Sequence, residues 1–145
     1  MSVKRVLFLC TGNYYRSRFA EGLFNHLASQ LRLGWQAHSC GLAVERTEAV
    51  NVGPIATHTL EAFKQRSISV AEPIRYPRAA TLEDFTSADL IIALKEAEHR
   101  ELMRQQFPEW TDRVSYWHVH DLDQAPADIA LCEIEMLVRA LIAGL

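Results

Sequence analysis

The run Val3 to Leu9 passes without a linker into Cys10-Thr11-Gly12-Asn13-Tyr14-Tyr15-Arg16-Ser17, and from there into a segment whose apolar residues recur at four-residue spacing, Phe19, Leu23, Leu27 and Leu31. A short apolar run bounded by glycine reads as a buried strand, and the four-residue stripe, widened by Ala20, Phe24 and Ala28, reads as one face of a helix from Ser17 to about Leu31. The eight residues between them therefore close a strand and open a helix. Backbone N–H groups in such a loop converge on an anion, with the positive end of the helix dipole behind them. Gly12 removes a side chain where the backbone must approach closely. Cys10 and Arg16 add what a plain anion nest lacks, a thiol placed to act as a thiolate nucleophile and a guanidinium to grip the anion. The hydroxyl of Ser17 can donate to that thiolate or cap the helix.

The remainder repeats the strand and helix alternation. Trp35 to Cys40 reads as a second strand closed by Gly41, Ala88 to Leu94 as a third and Val114 to Val119 as a fourth. Helical stripes cover Ile55 to Arg66, Glu96 to Phe107 with Leu102 and Met103 inward, and Ala127 to Ala143 through Leu131, Ile134, Val138, Leu141 and Ile142. Leu42 to Gly53 reads as a loop beside the site, Ser67 to Ala80 as an irregular connection in which Arg75 and Arg78 are solvated, and Thr81 to Phe85 as a short capped helix. This pattern implies an α/β fold, a doubly wound four-stranded parallel sheet with helices on both faces, and one domain over residues 1–145. Ligands of such sheets bind at the carboxyl ends of the strands, where Cys10 and the residues after Val119 both fall.

The chain has 145 residues, 49% of them hydrophobic, enough for a sizeable core. A formal net charge of −3 without a basic stripe or tail speaks against nucleic acid as a partner. No apolar run approaches a membrane span, and the amino terminus is too short in its apolar part for a signal peptide, so no membrane partner is expected. The three cysteines, Cys10, Cys40 and Cys132, lack metal spacing or a disulfide framework, which points to a reducing cytoplasm and makes Cys40 and Cys132 small core residues. His118 and His120 share a strand face but find no third ligand, so no metal and no cofactor are expected.

The run Val6 to Glu21, carrying a Cys-x5-Arg-Ser loop at the first strand, resembles the amino terminus of the low-molecular-weight protein tyrosine phosphatase family. His38-Ser39-Cys40-Gly41 is similar to the end of that family's second strand, and Asp84 to Leu94 to its third-strand region. Two departures lie in the loop, Tyr15 where the family commonly has a second cysteine and Arg18 where it has a proline. A third is Lys95, which replaces an aspartate. The resemblance implies a phosphomonoester hydrolase working through a phosphocysteine on Cys10. Arg16 and residues Thr11, Gly12, Asn13, Tyr14, Tyr15 and Ser17 would bind the phosphoryl group, Asn13 would hold the loop in a left-handed conformation, and Ser17 would tune the thiolate. Inorganic phosphate or a similar oxyanion would fit the loop, and the substrate would be a phosphorylated protein or a small phosphate ester.

Such chemistry needs a proton donor for the leaving oxygen. By register with the family's Asp-Pro pair, Asp121 is that acid, with Leu122 in place of the proline and Asp123 as the alternative. Tyr14 and Tyr15 either offer aromatic surface to a substrate ring or pack against the scaffold. Two rival readings share the loop, a thiol-coupled arsenate reductase and a non-catalytic oxyanion or phosphoprotein binding module.

Overall fold

A computed structural model describes residues 2–119 and 126–145. Strand β1 (Lys4–Cys10) leads into helix α1 (Arg16–Leu31), strand β2 (Trp35–Gly41), a single helical turn α2 (Val44–Thr47) and helix α3 (Thr57–Gln65). Helix α4 (Leu82–Thr86), strand β3 (Leu90–Ala93), helix α5 (Glu96–Gln106), a 3-10 turn (Pro108–Arg113), strand β4 (Ser115–Tyr116) and helix α6 (Ala127–Ala143) follow. The four strands form one sheet in the order β2-β1-β3-β4, every neighbouring pair parallel.

Because side chains alternate across a strand, β1 feeds two cores. Val6 and Phe8 point toward Phe19, Leu23 and Phe24 of α1 and Ile134 and Val138 of α6. Leu7 and Leu9 face Cys40, Phe85, Ile91, Leu102 and Met103 on the other side. Each such fully buried aromatic or aliphatic side chain contributes about 1.5–3 kcal/mol of transfer free energy. The sheet is thus covered on both faces, as its near-continuous apolar strands require.

The topology also fixes where a site can form. From β1 the chain crosses to β2 on one side, and it later returns to β3 on the other side of β1. The connections leaving β1 and β3 therefore diverge, opening a crevice at their carboxyl ends.

Several details differ from the sequence expectation. The segment after β2 contains the turn α2 rather than loop alone, and Leu42, Ala43 and Val44 are buried because Leu42 N–H donates to the Cys10 carbonyl and Ala43 N–H to that of Thr11, both at 2.9 Å. Leu31 is 60% exposed. The helix ends there, with Arg32 at φ 52, so its apolar stripe stops short of that residue. Cys132 is exposed, on the outer side of α6, whereas Cys40 is buried as expected. Strand β4 is only two residues long, yet Trp117 and Val119 N–H still donate to Ala93 and Leu94 carbonyls at 2.8 and 3.0 Å.

Candidate active site

The loop from Cys10 to Ser17 hangs from the end of β1 and runs into α1. Its shape depends on Asn13, fully buried at φ 49, a left-handed conformation that asparagine tolerates better than most residues. The side-chain amide of Asn13 is used on both sides. Its Nδ2 donates to Ser17 Oγ and to Ser39 Oγ, each at 2.9 Å. Its Oδ1 accepts from Arg75 Nη1 at 2.9 Å and from the Arg78 backbone N–H at 3.1 Å.

This pattern orients Ser17. With one lone pair taken by Asn13, its hydroxyl proton is free to donate to Cys10 Sγ, which lies 2.9 Å away. Cys10 is 2% exposed, so a thiolate there depends on such donors rather than on solvent. Backbone space is equally constrained. A Cβ on Gly12 would lie 2.8 Å from Thr47 Oγ1, and one on Gly41 2.7 Å from the Thr11 carbonyl oxygen, so glycine at both positions lets α2 and β2 close against the loop.

Three arginines secure the surroundings. Arg75 Nη2 donates to Ser39 Oγ at 2.9 Å and pairs with Glu21 at 3.0 Å, while Ser39 in turn donates to Glu21. Arg78 forms a two-point pair with Asp84 at 2.6 and 3.1 Å. Both side chains remain more than a third exposed, as the sequence suggested, but each also has a partner it did not suggest: Arg75 bonds the buried Asn13 amide and Glu21 of α1, and Arg78 pairs with Asp84 of α4 while its backbone N–H reaches Asn13. Arg18 is buried and donates to the carbonyls of Pro54 and Arg75 at 2.9 and 2.8 Å. Burial, with Arg75 alongside, lowers its guanidinium to about 10. Its side chain stitches the loop to two later connections.

Arg16 is likewise buried, and it meets an acid that sequence reasoning missed. Its Nη2 and Nη1 lie 3.3 and 3.5 Å from the two carboxylate oxygens of Glu98, in the first turn of α5. Thr11 Oγ1 donates to Glu98 Oε1. His99 Nδ1 accepts the Lys95 backbone N–H at 3.1 Å, so Nε2 carries the hydrogen and donates to Thr11 Oγ1 at 3.1 Å. Burial opposes ionisation of Glu98, but the bonds from His99 and Thr11 and the charge of Arg16 outweigh it and hold the carboxyl well below the usual range. The signal that could have found this pair is positional, since the first turn after β3 opens on the same crevice as the loop after β1.

Of the remaining predicted residues, Tyr15 is buried and edge-on to His58, and Tyr14 is partly buried with its hydroxyl donating to the Val52 carbonyl at 2.5 Å. Both tyrosines thus pack against the scaffold. Asp121 and Asp123 lie outside the described residues. The chain leaves Val119, two residues before Asp121, beside Leu94 at the carboxyl end of β3.

Comparison with known proteins agrees with this geometry. The family model described as low molecular weight phosphotyrosine protein phosphatase matches residues 5–131. A protein-arginine-phosphatase of Bacillus subtilis is 30% identical over 112 residues, which cover 75% of this chain and 67% of the relative. Among solved structures, a low molecular weight protein tyrosine phosphatase from T. tengcongensis shares 28% identity, with a TM-score of 0.81 over 98% of this chain and 99% of that one. The YwlE arginine phosphatase, in a mutant whose active-site serine is phosphorylated, shares 27% identity, with a TM-score of 0.75 over 94% of this chain and 92% of that one. With a family match over most of the chain and a relative of this identity and coverage, on a parallel sheet whose first strand ends in Cys10, the chain belongs to the low molecular weight phosphotyrosine protein phosphatase family, a family of cysteine-dependent phosphatases.

Proposed function

We propose that the protein hydrolyses phosphate monoesters through a phosphocysteine on Cys10, with Asp121 as the acid. The observation that carries this reading is the Cys10 Sγ to Ser17 Oγ contact of 2.9 Å inside a loop locked by Asn13. The Cys10 thiolate attacks phosphorus in line, so that an S–P bond forms as the P–O bond to the leaving group breaks. Asp121 gives its proton to the departing oxygen. Backbone amides from Thr11 to Ser17 and the guanidinium of Arg16 carry the charge spread over the equatorial oxygens. Water then attacks the phosphocysteine, Asp121 takes back a proton, and inorganic phosphate leaves with the thiolate restored.

The substrates in view are phosphorylated side chains of proteins and small phosphate esters, and the compartment is a reducing one in which Cys10 stays a thiol. Relatives named for phosphotyrosine and for phosphoarginine both fall among the matches, and the paired carboxylate Glu98 beside Arg16 distinguishes neither. Family membership favours the hydrolase over an arsenate reductase or an inert binding module. Phosphate release from an aryl phosphate tests it. Cys10→Ser is expected to abolish turnover, and Asp121→Asn to lower kcat by about 10²–10⁴-fold, the usual contribution of a positioned proton donor. If Asp123→Asn is the damaging change instead, the acid is misassigned.

A further inference from the structure

On the sheet face away from α1 and α6, a cavity of about 310 Å³ opens between β1, the middle of β2 and the short helix α4. It lies apart from the phosphate loop, because its strand residues, Arg5 to Leu7 and His38, precede the carboxyl ends where that loop begins. Its volume is at the lower end of small-molecule sites, and most of the residues that line it are polar. Two of them, Arg78 and Asp84, are occupied with each other at 2.6 and 3.1 Å, and Thr81 Oγ1 donates to Asp84 at 3.0 Å. The guanidinium of Arg5 on the sheet wall and the carboxylate of Glu83 on the helical wall have no side-chain partner among the described residues. Nor has the buried Nε2 of His38.

These three groups define what would complete the cavity. Burial and the charge of Arg5 lower His38 from the ordinary histidine value, so its ring is neutral near pH 7, with one nitrogen to donate and one to accept. The complement is a carboxylate for Arg5, an ammonium for Glu83 and a group that both gives and accepts for the imidazole in either tautomer. A free α-amino acid with an uncharged polar side chain carries all three. A simple anion would leave Glu83 against it, a simple cation would leave Arg5, and an apolar molecule would cover both charges without pairing either. The cavity also connects to the reacting thiol. Arg78, which lines it, gives its backbone N–H to Asn13 Oδ1 at 3.1 Å, and Asn13 Nδ2 holds Ser17 beside Cys10.

We propose that this cavity binds a free α-amino acid of the glutamine kind, its carboxylate on Arg5 and its ammonium on Glu83, and that occupancy alters the reactivity of Cys10 through Arg78 and Asn13. The site is independent of the phosphatase reading of the loop. An occupant seated against the Arg78–Asp84 pair displaces a residue whose backbone orients the Asn13 amide, and two sites that share such an element are coupled.

Calorimetry with L-glutamine measures the binding in wild type, Arg5→Ala and Glu83→Gln, substitutions of exposed side chains outside the phosphate loop. The wild type is expected to take up one equivalent saturably, and each substitution to weaken binding about fivefold or more, as loss of a charged partner at a partly solvated site does. L-norleucine, with an apolar side chain, acetate and methylammonium should each bind more weakly than L-glutamine. Absence of saturable binding up to about 50 mM, where a complex of millimolar Kd would be filled, overturns the proposal. So does binding unchanged in both variants, or binding matched by acetate alone, which marks an adventitious ion only. The rate of Cys10 alkylation by iodoacetamide, followed on the peptide that carries it, reads the connection without turnover. Saturating L-glutamine should change that rate at least about twofold in the wild type and leave it unchanged in Arg5→Ala. An unchanged wild-type rate at saturation overturns the connection through Arg78.

Discussion

At Asn13 the local backbone and the reacting thiol meet. A residue other than glycine or asparagine at φ 49 costs roughly 1–2 kcal/mol, and the buried partners of its amide would lose their bonds as well. Asn13→Ala is therefore expected to destabilise the protein by at least that amount, seen in urea unfolding, and to reduce kcat more than KM because the loop loses its fixed shape. Arg75→Ala tests the outer layer of the same network. It removes the Asn13 Oδ1 contact without touching the phosphate loop's own donors, and turnover should fall while Cys10 alkylation continues. The loop itself was legible in the sequence because cysteine, glycine and arginine spacing between a strand and a helix is local information. Arg75, Arg78 and Glu98 were not legible, since each meets the loop across 62 or more positions of chain, and nothing in an irregular or polar segment reports such a partner.

Among the elements, α1 shows how a tertiary contact overrides propensity. Alanine is favoured over glycine inside a helix by about 1 kcal/mol, yet a Cβ on Gly22 would lie 2.4 Å from the Phe63 ring of α3. Phe63 in turn stacks on Phe19 with ring centroids 5.6 Å apart, so the ring has little room to retreat. Gly22→Ala should thus destabilise by about 1–3 kcal/mol, a change in the opposite sense to its helix propensity that a denaturation midpoint would detect. Helix α4 carries a pH dependence. Asp84 is pulled below the usual carboxylate range, burial there being outweighed by bonds from Arg78 and Thr81. His38, lining the same cavity, is lowered from the ordinary histidine value by burial and by Arg5. Both groups bind fewer protons folded than unfolded, so each makes stability rise with pH. The His38 contribution is lost first, as pH falls below about 6.5, and that of Asp84 only below about 4. Unfolding midpoints measured across that range should decline in those two stages, and His38→Gln should remove the upper one.

For the molecule as a whole, the strand and helix alternation was readable because parallel strands buried on both faces are nearly continuous apolar runs. Element edges were less so: β4 shrinks to two residues and Leu31 falls outside the core, because twist at a sheet edge and the point where a helix leaves its neighbour are set by packing. The site draws on β1, β2, α1, α5 and the connection at Arg75 and Arg78, so an anion bound there ties together segments from both sides of the sheet. Binding to the folded state alone raises stability by about 2.7 kcal/mol at a hundredfold excess over Kd. Vanadate at that excess should shift the thermal midpoint upward, and Cys10→Ser should remove most of the shift.

The amide of Asn13 gives through nitrogen and takes through oxygen, and both neighbours on the nitrogen side, Ser17 and Ser39, are arranged to receive. The substitution Asn13→Asp exchanges that nitrogen for oxygen with almost no change of shape. The new carboxylate would compete for the one proton Ser17 holds, since the Ser39 proton is already given to Glu21. Cys10 would then face a lone pair in place of a donor. An Asn13→Asp protein should therefore show a less nucleophilic Cys10 thiol, read as slower alkylation by iodoacetamide than in the wild type.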